Sequence, residues 1–231
     1  MDILIMALQK CKVEHYGHIS EKPHIVIIIE ECVLLEIELG NANEVSPGCL
    51  DQMYRMRARA FYRRRGWSVL VQNGRERDNF DNCNTDYLLV RAGSALLGSL
   101  RILPSTGPTM IADVFHEILV DAPMPRSSDV AEVSRLCIDP DRIRQIKSGL
   151  TPNRVTRVML SALFARMAKR NVKVLIGVHD LMVERILRQC GWPPQRLGKA
   201  VKTDTGLITV ASCFHVPPVP PYQGALYQRQ S

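Results

Sequence analysis

The junction from Thr151 to Val178 constrains the fold most: TPNRVTRVMLSALFARMAKRN runs directly into VKVLIGV. Thr151 offers a side-chain oxygen to the first turn of a helix, and Pro152 suits that turn because its missing N–H has no intrahelical partner anyway. Val155, Val158, Met159, Ala162, Leu163 and Met167 recur at helical spacing and make one apolar stripe. The run that follows is apolar on nearly every residue, so a strand there is covered on both faces. A long amphipathic helix feeding a buried strand is the unit of an α/β fold.

The same grammar repeats along the chain. VLLEIELGNA (33–42) reads as a strand closing on a Gly-Asn turn. SPGCLDQMYRMRARAFYRRRGW reads as a helix opened by Ser46-Pro47 and stopped by Gly66. NGRERDNFDNCN reads as a long polar turn. TDYLLVRAG and ALLGSLRILPS form a strand hairpin, and TMIADVFHEIL a short helix. DVAEVSRLCIDP alternates as a strand, with Val130, Glu132 and Ser134 on one face and Ala131, Val133 and Arg135 on the other. DLMVERILRQCG reads as a helix from Asp180 to Gly191, and GLITVASCFHV as the last strand. The predicted architecture is an α/β sandwich around a mixed sheet. Residues 1–30 read as a poorly integrated extension, 31–215 as one domain, and 216–231 as a loose Pro-rich tail.

The chain of 231 residues is 46% apolar and 23% charged, ordinary for a globular domain. No run is long enough to span a bilayer, and no signal peptide is recognisable, so a cytoplasmic protein is expected. Seven scattered cysteines without a C-x-x-C support neither a zinc site nor a disulfide framework. The net charge of +7 is concentrated: residues 141–200 hold 13 Lys and Arg against 3 Asp and Glu. Such a face fits an acidic partner or a phosphorylated ligand, and equally a solvated helix surface.

Nucleophile elbows, Walker loops and H-E-x-x-H are absent from the sequence. His116 and His179 read as surface or satisfied histidines rather than metal ligands, and no metal is expected. What stands out is charge on strands and adjoining turns: Arg101, Glu132 and Arg135, with Asp78 and Asp81 in the turn after Trp67. Charges on an interior face need partners. The simplest assembly sets Arg57, Arg101 and Arg135 against Asp78, Asp81 and Glu132. From the residues alone this is a structural ion-pair network or a binding site, and spacing does not separate the two.

The residues also carry a resemblance. Arg57 and Phe61 four apart, Trp67 in RRRGW, and Glu76, Asp78, Phe80 and Asp81 in ERDNFD come in order. Arg101 in GSLRILP, Met110 and Phe115 in MIADVF, Glu132 and Arg135 in EVSR, and RQCGW follow. From about Val33 to Gly198 the chain resembles the acyl-homoserine-lactone synthases, the autoinducer synthases of bacterial quorum sensing. It departs at Ile102, where leucine is more usual, and in its first thirty or so residues. It also has IGVHD where some makers of 3-oxo signals carry a threonine, so that preference is not transferred.

The resemblance implies a three-layer α-β-α sandwich around a mixed twisted sheet, similar to N-acetyltransferases. It implies two substrates and no cofactor: S-adenosylmethionine, and an acyl thioester on acyl carrier protein or coenzyme A. Glu132 is then the expected general base, with Arg135 fixing its geometry. Arg57, Phe61, Trp67, Asp78, Asp81 and Arg101 are expected around S-adenosylmethionine, with Arg57 on its carboxylate. Met110, Phe115, Val174, Ile176 and the helix that follows are expected around the acyl chain. Arg154, Arg157, Arg166, Lys169 and Arg170 are the expected docking residues for an acidic carrier. Two rival readings are an ordinary N-acyltransferase of the same fold and a non-catalytic binder of an acidic partner. The first lacks the expected pyrophosphate-binding motif after GSLRILP, and the second lacks any nucleic-acid-binding motif, so neither nucleic acid nor a membrane span is expected.

Overall fold

The computed structural model describes residues 24–30, 33–119, 125–146, 149–202, 206, 208–217 and 226–229. Its strands are β1 (His24–Glu30), β2 (Val33–Asn41), β3 (Val71–Gln72), β4 (Arg75–Glu76), β5 (Asp86–Ala92) and β6 (Ala95–Pro104). Then come β7 (Val130–Ile138), β8 (Val174–Asp180), β9 (Gln195–Arg196), β10 (Val201–Lys202), β11 (Ile208–His215) and β12 (Leu226–Arg229). The helices are α1 (Pro47–Arg57), continued by a π-helical stretch over Ala58–Arg64, α2 (Met110–Asp113), α3 (Pro140–Gln145), α4 (Pro152–Lys169) and α5 (Leu181–Gln189).

One large sheet runs β10-β11-β8-β7-β6-β5-β2-β1-β12, with β9 also on β11. Leu88 and Val90 of β5 pack with Val155, Val158 and Leu163 of α4. Tyr87 and Leu89, one residue out of phase, pack with Cys49, Met53 and Met56 of α1. Period-two alternation thus sends β5 into two cores, and the chain is a three-layer α/β sandwich.

The sheet is mixed because β7 and β8 are parallel while the other neighbours are antiparallel. Their ladder is short: Val130 opposite Val174, Ala131 opposite Leu175, Glu132 opposite Ile176. β7 continues to Ile138 and β8 to Asp180 without further pairing to each other. The two strands part beyond Glu132, and the gap between them positions the site.

Several expectations need correction. Residues 24–30, assigned to an extension, form β1 and pair along β2, and residues 226–229 of the expected loose tail pair with β1. The β-branched run HIVIIIE has strong strand preference, which outweighs its lack of alternation. The rest of the first thirty residues lies outside the described residues. The long polar turn contains a hairpin, β3 to β4, turning through Asn73 and Gly74 at φ 51° and 75°. Two successive positive φ values are what an Asn-Gly hairpin turn supplies. The expected single helix over TMIADVFHEIL is α2 followed by a separate 3-10 turn at His116–Leu119. Helix α3 was not anticipated, although Asp139 caps it through the Arg142 N–H and Pro140 opens it.

Candidate active site

Three arginines and three carboxylates close a ring on the α1 face of the sheet. Arg57 Nε meets Glu76 at 2.5 Å, and Glu76 meets Arg135 at 3.0 Å. Arg135 meets Asp78 at 2.7 Å, Asp78 meets Arg101 at 2.5 Å, Arg101 meets Asp81 at 3.2 Å, and Asp81 returns to Arg57 at 2.8 Å. The charges balance, which is how six ionised groups are held out of water. Tyr87 donates its hydroxyl to Asp81, and Arg101 Nε donates to Ser134 Oγ.

The sixth member of the ring is Glu76, not Glu132. Arg135 reaches the ring through a bulge: Arg135 and Leu136 together oppose Leu100, and Arg135 sits at φ 53°. Strict alternation sends Arg135 to the α4 face beside Val133. The bulge puts it on the same face as Ser134 instead. It therefore pairs with Glu76 and Asp78 and does not fix the geometry of Glu132.

A cavity of about 710 Å³ opens where β7 and β8 part. Glu132 to Leu136 line one side and Ile176 to Asp180 the other, so it reaches both faces of the sheet. At its polar end stand Phe61, Trp67, Asp78, Phe80, Met110 and Arg135. Phe61 and Trp67 stack at 5.1 Å and 12°. Arg65 lies over the Trp67 ring and pairs with Asp180 at 2.5 Å across the opening. Of the ring, only Asp78 and Arg135 border the cavity. Arg57 and Arg101 are wholly buried behind them and fully engaged, so Arg57 is not placed to hold a ligand carboxylate. They and Asp81 support the site from beneath.

Glu132 borders the cavity in a different state. It is buried, and its oxygens accept the Met110 N–H at 3.1 Å and the Ile111 N–H at 2.9 Å. No ion pair involves it among the described residues, whereas Asp78 and Asp180 are tied to arginines. Burial raises its carboxyl above the ordinary range, and the two N–H donors offset only part of that. Two engaged oxygens still leave lone pairs, so Glu132 can accept a proton.

The far end of the cavity is apolar, lined by Leu136, Leu163, Phe164, Leu175, Leu187 and Phe214 among others. Met110, Phe115 and Ile176 of the expected acyl set line the cavity, Met110 at its polar end, and α5 lines it through Val183 and Leu187. Val174 does not. It lies at the paired end of β8, packed against the Ile111, Val130, Ile176 and Cys213 cluster. His179 also lines the cavity and is neither a surface nor a satisfied histidine: it is buried, and its Nε2 has no partner among the described residues.

The expected docking residues lie on α4 or just past its end but do not form one patch. Arg154 and Arg157 lie near its start, with Arg157 donating to the Gln189 carbonyl on α5. Arg166 and Arg170 lie near its end, where Arg170 pairs with Asp86. At about 100° per residue the two groups face directions roughly 170° apart. Lys169 is exposed with the second group. Among the described residues no cluster of three His, Cys, Asp or Glu side chains is placed to hold a metal, and no helix is long and apolar enough to cross a membrane.

Residues 41–214 match the family model described as autoinducer synthase. The acyl-homoserine-lactone synthase of Aeromonas salmonicida is 34% identical over 167 residues, covering 72% of this chain and 80% of its own. Among solved structures, the AHL synthase LasI superposes with a TM-score of 0.73 at 25% identity, over 86% of this chain and all of that one. TofI, in a ternary complex with an inhibitor and MTA, gives 0.65 at 28% identity over 78% and 91%. An acyl-CoA N-acyltransferase from Pseudomonas aeruginosa, at 14% identity, shares the fold alone, with a TM-score of 0.50 over 78% and 99%.

Proposed function

Because the chain belongs to the autoinducer synthases and is an acyl-homoserine-lactone synthase, we propose that it acylates the amine of S-adenosylmethionine from an acyl thioester and then releases methylthioadenosine. The observation that carries this reading is Glu132: a buried carboxylate with no arginine partner among the described residues, bordering a cavity that is polar at one end and apolar at the other. The MTA in the TofI complex is the remnant expected when an S-adenosylmethionine sulfonium departs.

An α-amino group has a pKa near 8 and is mostly protonated at neutral pH, so attack on a thioester needs a base. Glu132, raised by burial, takes that proton directly or through one water. The amine nitrogen then bonds to the thioester carbonyl carbon and the thiolate leaves, on coenzyme A or on carrier protein. The methionyl carboxylate next attacks its own γ-carbon, the C–S bond breaks, and the lactone closes. Sulfonium is a good leaving group, so that step needs positioning more than acid or base. Phe61 and Trp67 offer stacked aromatic faces for the sulfonium or adenine. Asp78, the partly exposed acid of the ring, faces the ammonium.

Expression in a host that makes no lactone, with mass spectrometry of the extracted medium, tests the reading. N-acyl-homoserine lactones are expected. A blank extract from cells containing soluble, folded protein overturns it.

A further inference from the structure

Two arginines of the ring also reach outside it. Arg101 gives Nη1 to Asp78 and Asp81 and Nε to Ser134, and Arg135 gives Nε to Glu76 and Nη2 to Asp78. The nitrogen that each has left points at one atom, the Met110 thioether: Arg101 Nη2 lies 3.0 Å and Arg135 Nη1 3.4 Å from Sδ. Neither arginine side chain is more than 9% exposed, and a buried charged donor left without an acceptor is costly. Sulfur is a weak acceptor, and here it faces two full charges. Leucine fills a similar volume and accepts nothing.

Met110 meets Glu132 with its main chain. It opens α2, and its N–H and that of Ile111 each hold one Glu132 oxygen. Thr109 caps the turn through the Ala112 N–H, and Ile111 is wholly buried in the cluster with Val130, Ile176 and Cys213. A four-residue helix holds little shape by itself, so the place of those two N–H groups depends on what anchors the turn. Ile111 anchors it on one side and the Met110 sulfur on the other. One residue thus joins the ring to the carboxylate bordering the cavity: two arginines grip its side chain, and its backbone aims Glu132.

The link has a consequence for the proton. Both Glu132 oxygens are engaged, so the carboxylate turns only by giving up an N–H bond. Its cross-strand neighbours, Leu103 on β6 and Ile176 on β8, are apolar. The charges facing it are Arg101 from β6 and Asp113 from α2. Burial raises its carboxyl; the Ile111 and Met110 N–H groups and the Arg101 charge lower it, and the Asp113 charge raises it. Loosening the start of α2 withdraws two of the lowering groups. The carboxyl then rises further, and the ionised base is lost at a higher pH.

Resting on the acyl-transfer reading above, we propose that Met110 is a positioning residue for the base: its thioether, gripped by Arg101 and Arg135, fixes the two N–H groups that orient Glu132. Met110→Leu keeps the volume and removes the acceptor, and Met110→Gln puts an amide oxygen in place of the sulfur. Initial rates over a pH series, with the KM for S-adenosylmethionine and the urea midpoint, compare both with the native protein. Met110→Leu is expected to lower kcat by about tenfold, to move the acid limb of kcat/KM to higher pH and to leave the KM for S-adenosylmethionine within about twofold. Met110→Gln is expected to recover kcat to within about threefold of native and to return the acid limb. A folded Met110→Leu with native kcat and acid limb overturns the proposal. So does an equal loss in both variants with the acid limb unmoved, which is the mark of a side chain that only fills space. If Met110→Leu does not fold, Met110→Gln decides: a native acid limb supports the proposal and a displaced one overturns it. Glu132→Gln separates this failure from that of the wider reading. If it is impaired while Met110→Leu is not, the positioning role alone falls; if it is undiminished, the base and its positioning fall together. Failure of the native protein to acylate S-adenosylmethionine from any thioester overturns both readings.

Discussion

Arg57 and Asp81 meet as a two-pronged ion pair, Nη1 to Oδ1 and Nη2 to Oδ2 at 2.8 Å each, with neither side chain more than 1% exposed. The pair lies behind the cavity rather than in it, so its first duty is structural. Removing Arg57 leaves Asp81 and Glu76 buried and short of a partner. Arg57→Ala is expected to cost about 3–5 kcal/mol, read as a shift in the urea unfolding midpoint. Arg57→Lys is also expected to destabilise, because an ammonium cannot copy the fork that grips Asp81 and Glu76 together. A variant as stable as the native protein would remove the ring from the list of fold determinants.

The same pair sets an acid limit. Burial alone raises the Asp81 carboxyl, but the hydrogen bonds and charge of Arg57, with Arg101, outweigh it and hold Asp81 well below the ordinary range. The unfolded chain therefore binds a proton at Asp81 more readily than the folded one does. The stabilisation is complete above the unfolded carboxylate value of about 3.9 and is lost as pH falls towards the depressed folded value. Acid unfolding of the native protein is expected to steepen below about pH 4. In Asp81→Asn, which is less stable at neutral pH, that steepening should shrink. Parallel stability–pH curves for the two proteins would contradict it.

Glu132 shifts the opposite way, and this governs rate. Burial raises it, so the acid limb of kcat/KM is expected above the ordinary glutamate value of about 4.3. Glu132→Gln is expected to lower kcat by about 100-fold or more while S-adenosylmethionine binding, measured by calorimetry, stays within a few fold. Gln keeps one acceptor and turns an amide N–H towards the other backbone donor, so a modest loss of stability comes with it. Undiminished turnover would take Glu132 out of the base role.

The layers and the order of the main elements were legible because they rest on local signals. Thr151-Pro152, the Val155 to Met167 stripe and Asp180 before α5 each state an element in a few residues. The ring was legible as a set of charges, but its pairing was not. Alternation along β7 puts Arg135 opposite Glu132 in facing, and nothing in EVSR announces a bulge, since a non-glycine residue takes the positive φ. Glu76 was missed as the sixth partner because it sits on a two-residue hairpin strand. Its Asn73-Gly74 turn is a strong signal, hidden by polar neighbours that look like a loop. That His179 Nε2 is buried without a partner among the described residues depends on its cross-strand neighbours, and no reading of one segment supplies those.

Trp67 gives a spectroscopic handle on the polar end of the cavity. Its ring stacks on Phe61, and its indole N–H is buried without a partner among the described residues. The other tryptophan, Trp192, stacks on Phe164 at 3.7 Å in the opposite layer. Titration with S-adenosylmethionine is expected to change the intrinsic fluorescence, and Trp67→Phe to abolish most of the change. Trp67→Ala is expected to raise the KM for S-adenosylmethionine by about tenfold, through loss of stacking and cation–π contact. A fluorescence change that persists in Trp67→Phe would place the ligand elsewhere.

The division of the α4 arginines makes carrier docking a choice between two ends of one helix. Arg157 reaches Gln189, the last residue of α5, a helix that borders the cavity through Val183 and Leu187, whereas Arg170 is spent on Asp86 at the start of β5. A carrier delivering its thioester into the gap meets the first group sooner. Arg154→Glu with Arg157→Glu is therefore expected to raise the KM for acyl carrier protein by about tenfold, most strongly at low salt, and to leave the KM for S-adenosylmethionine unchanged. Arg166→Glu with Arg170→Glu is expected to act mainly on stability, through the lost Asp86 contact. Initial rates at fixed S-adenosylmethionine over two ionic strengths separate these outcomes. A KM effect confined to the second pair would move the docking face to the other end of the helix, and no effect from either would point to coenzyme A as the donor or to another docking face.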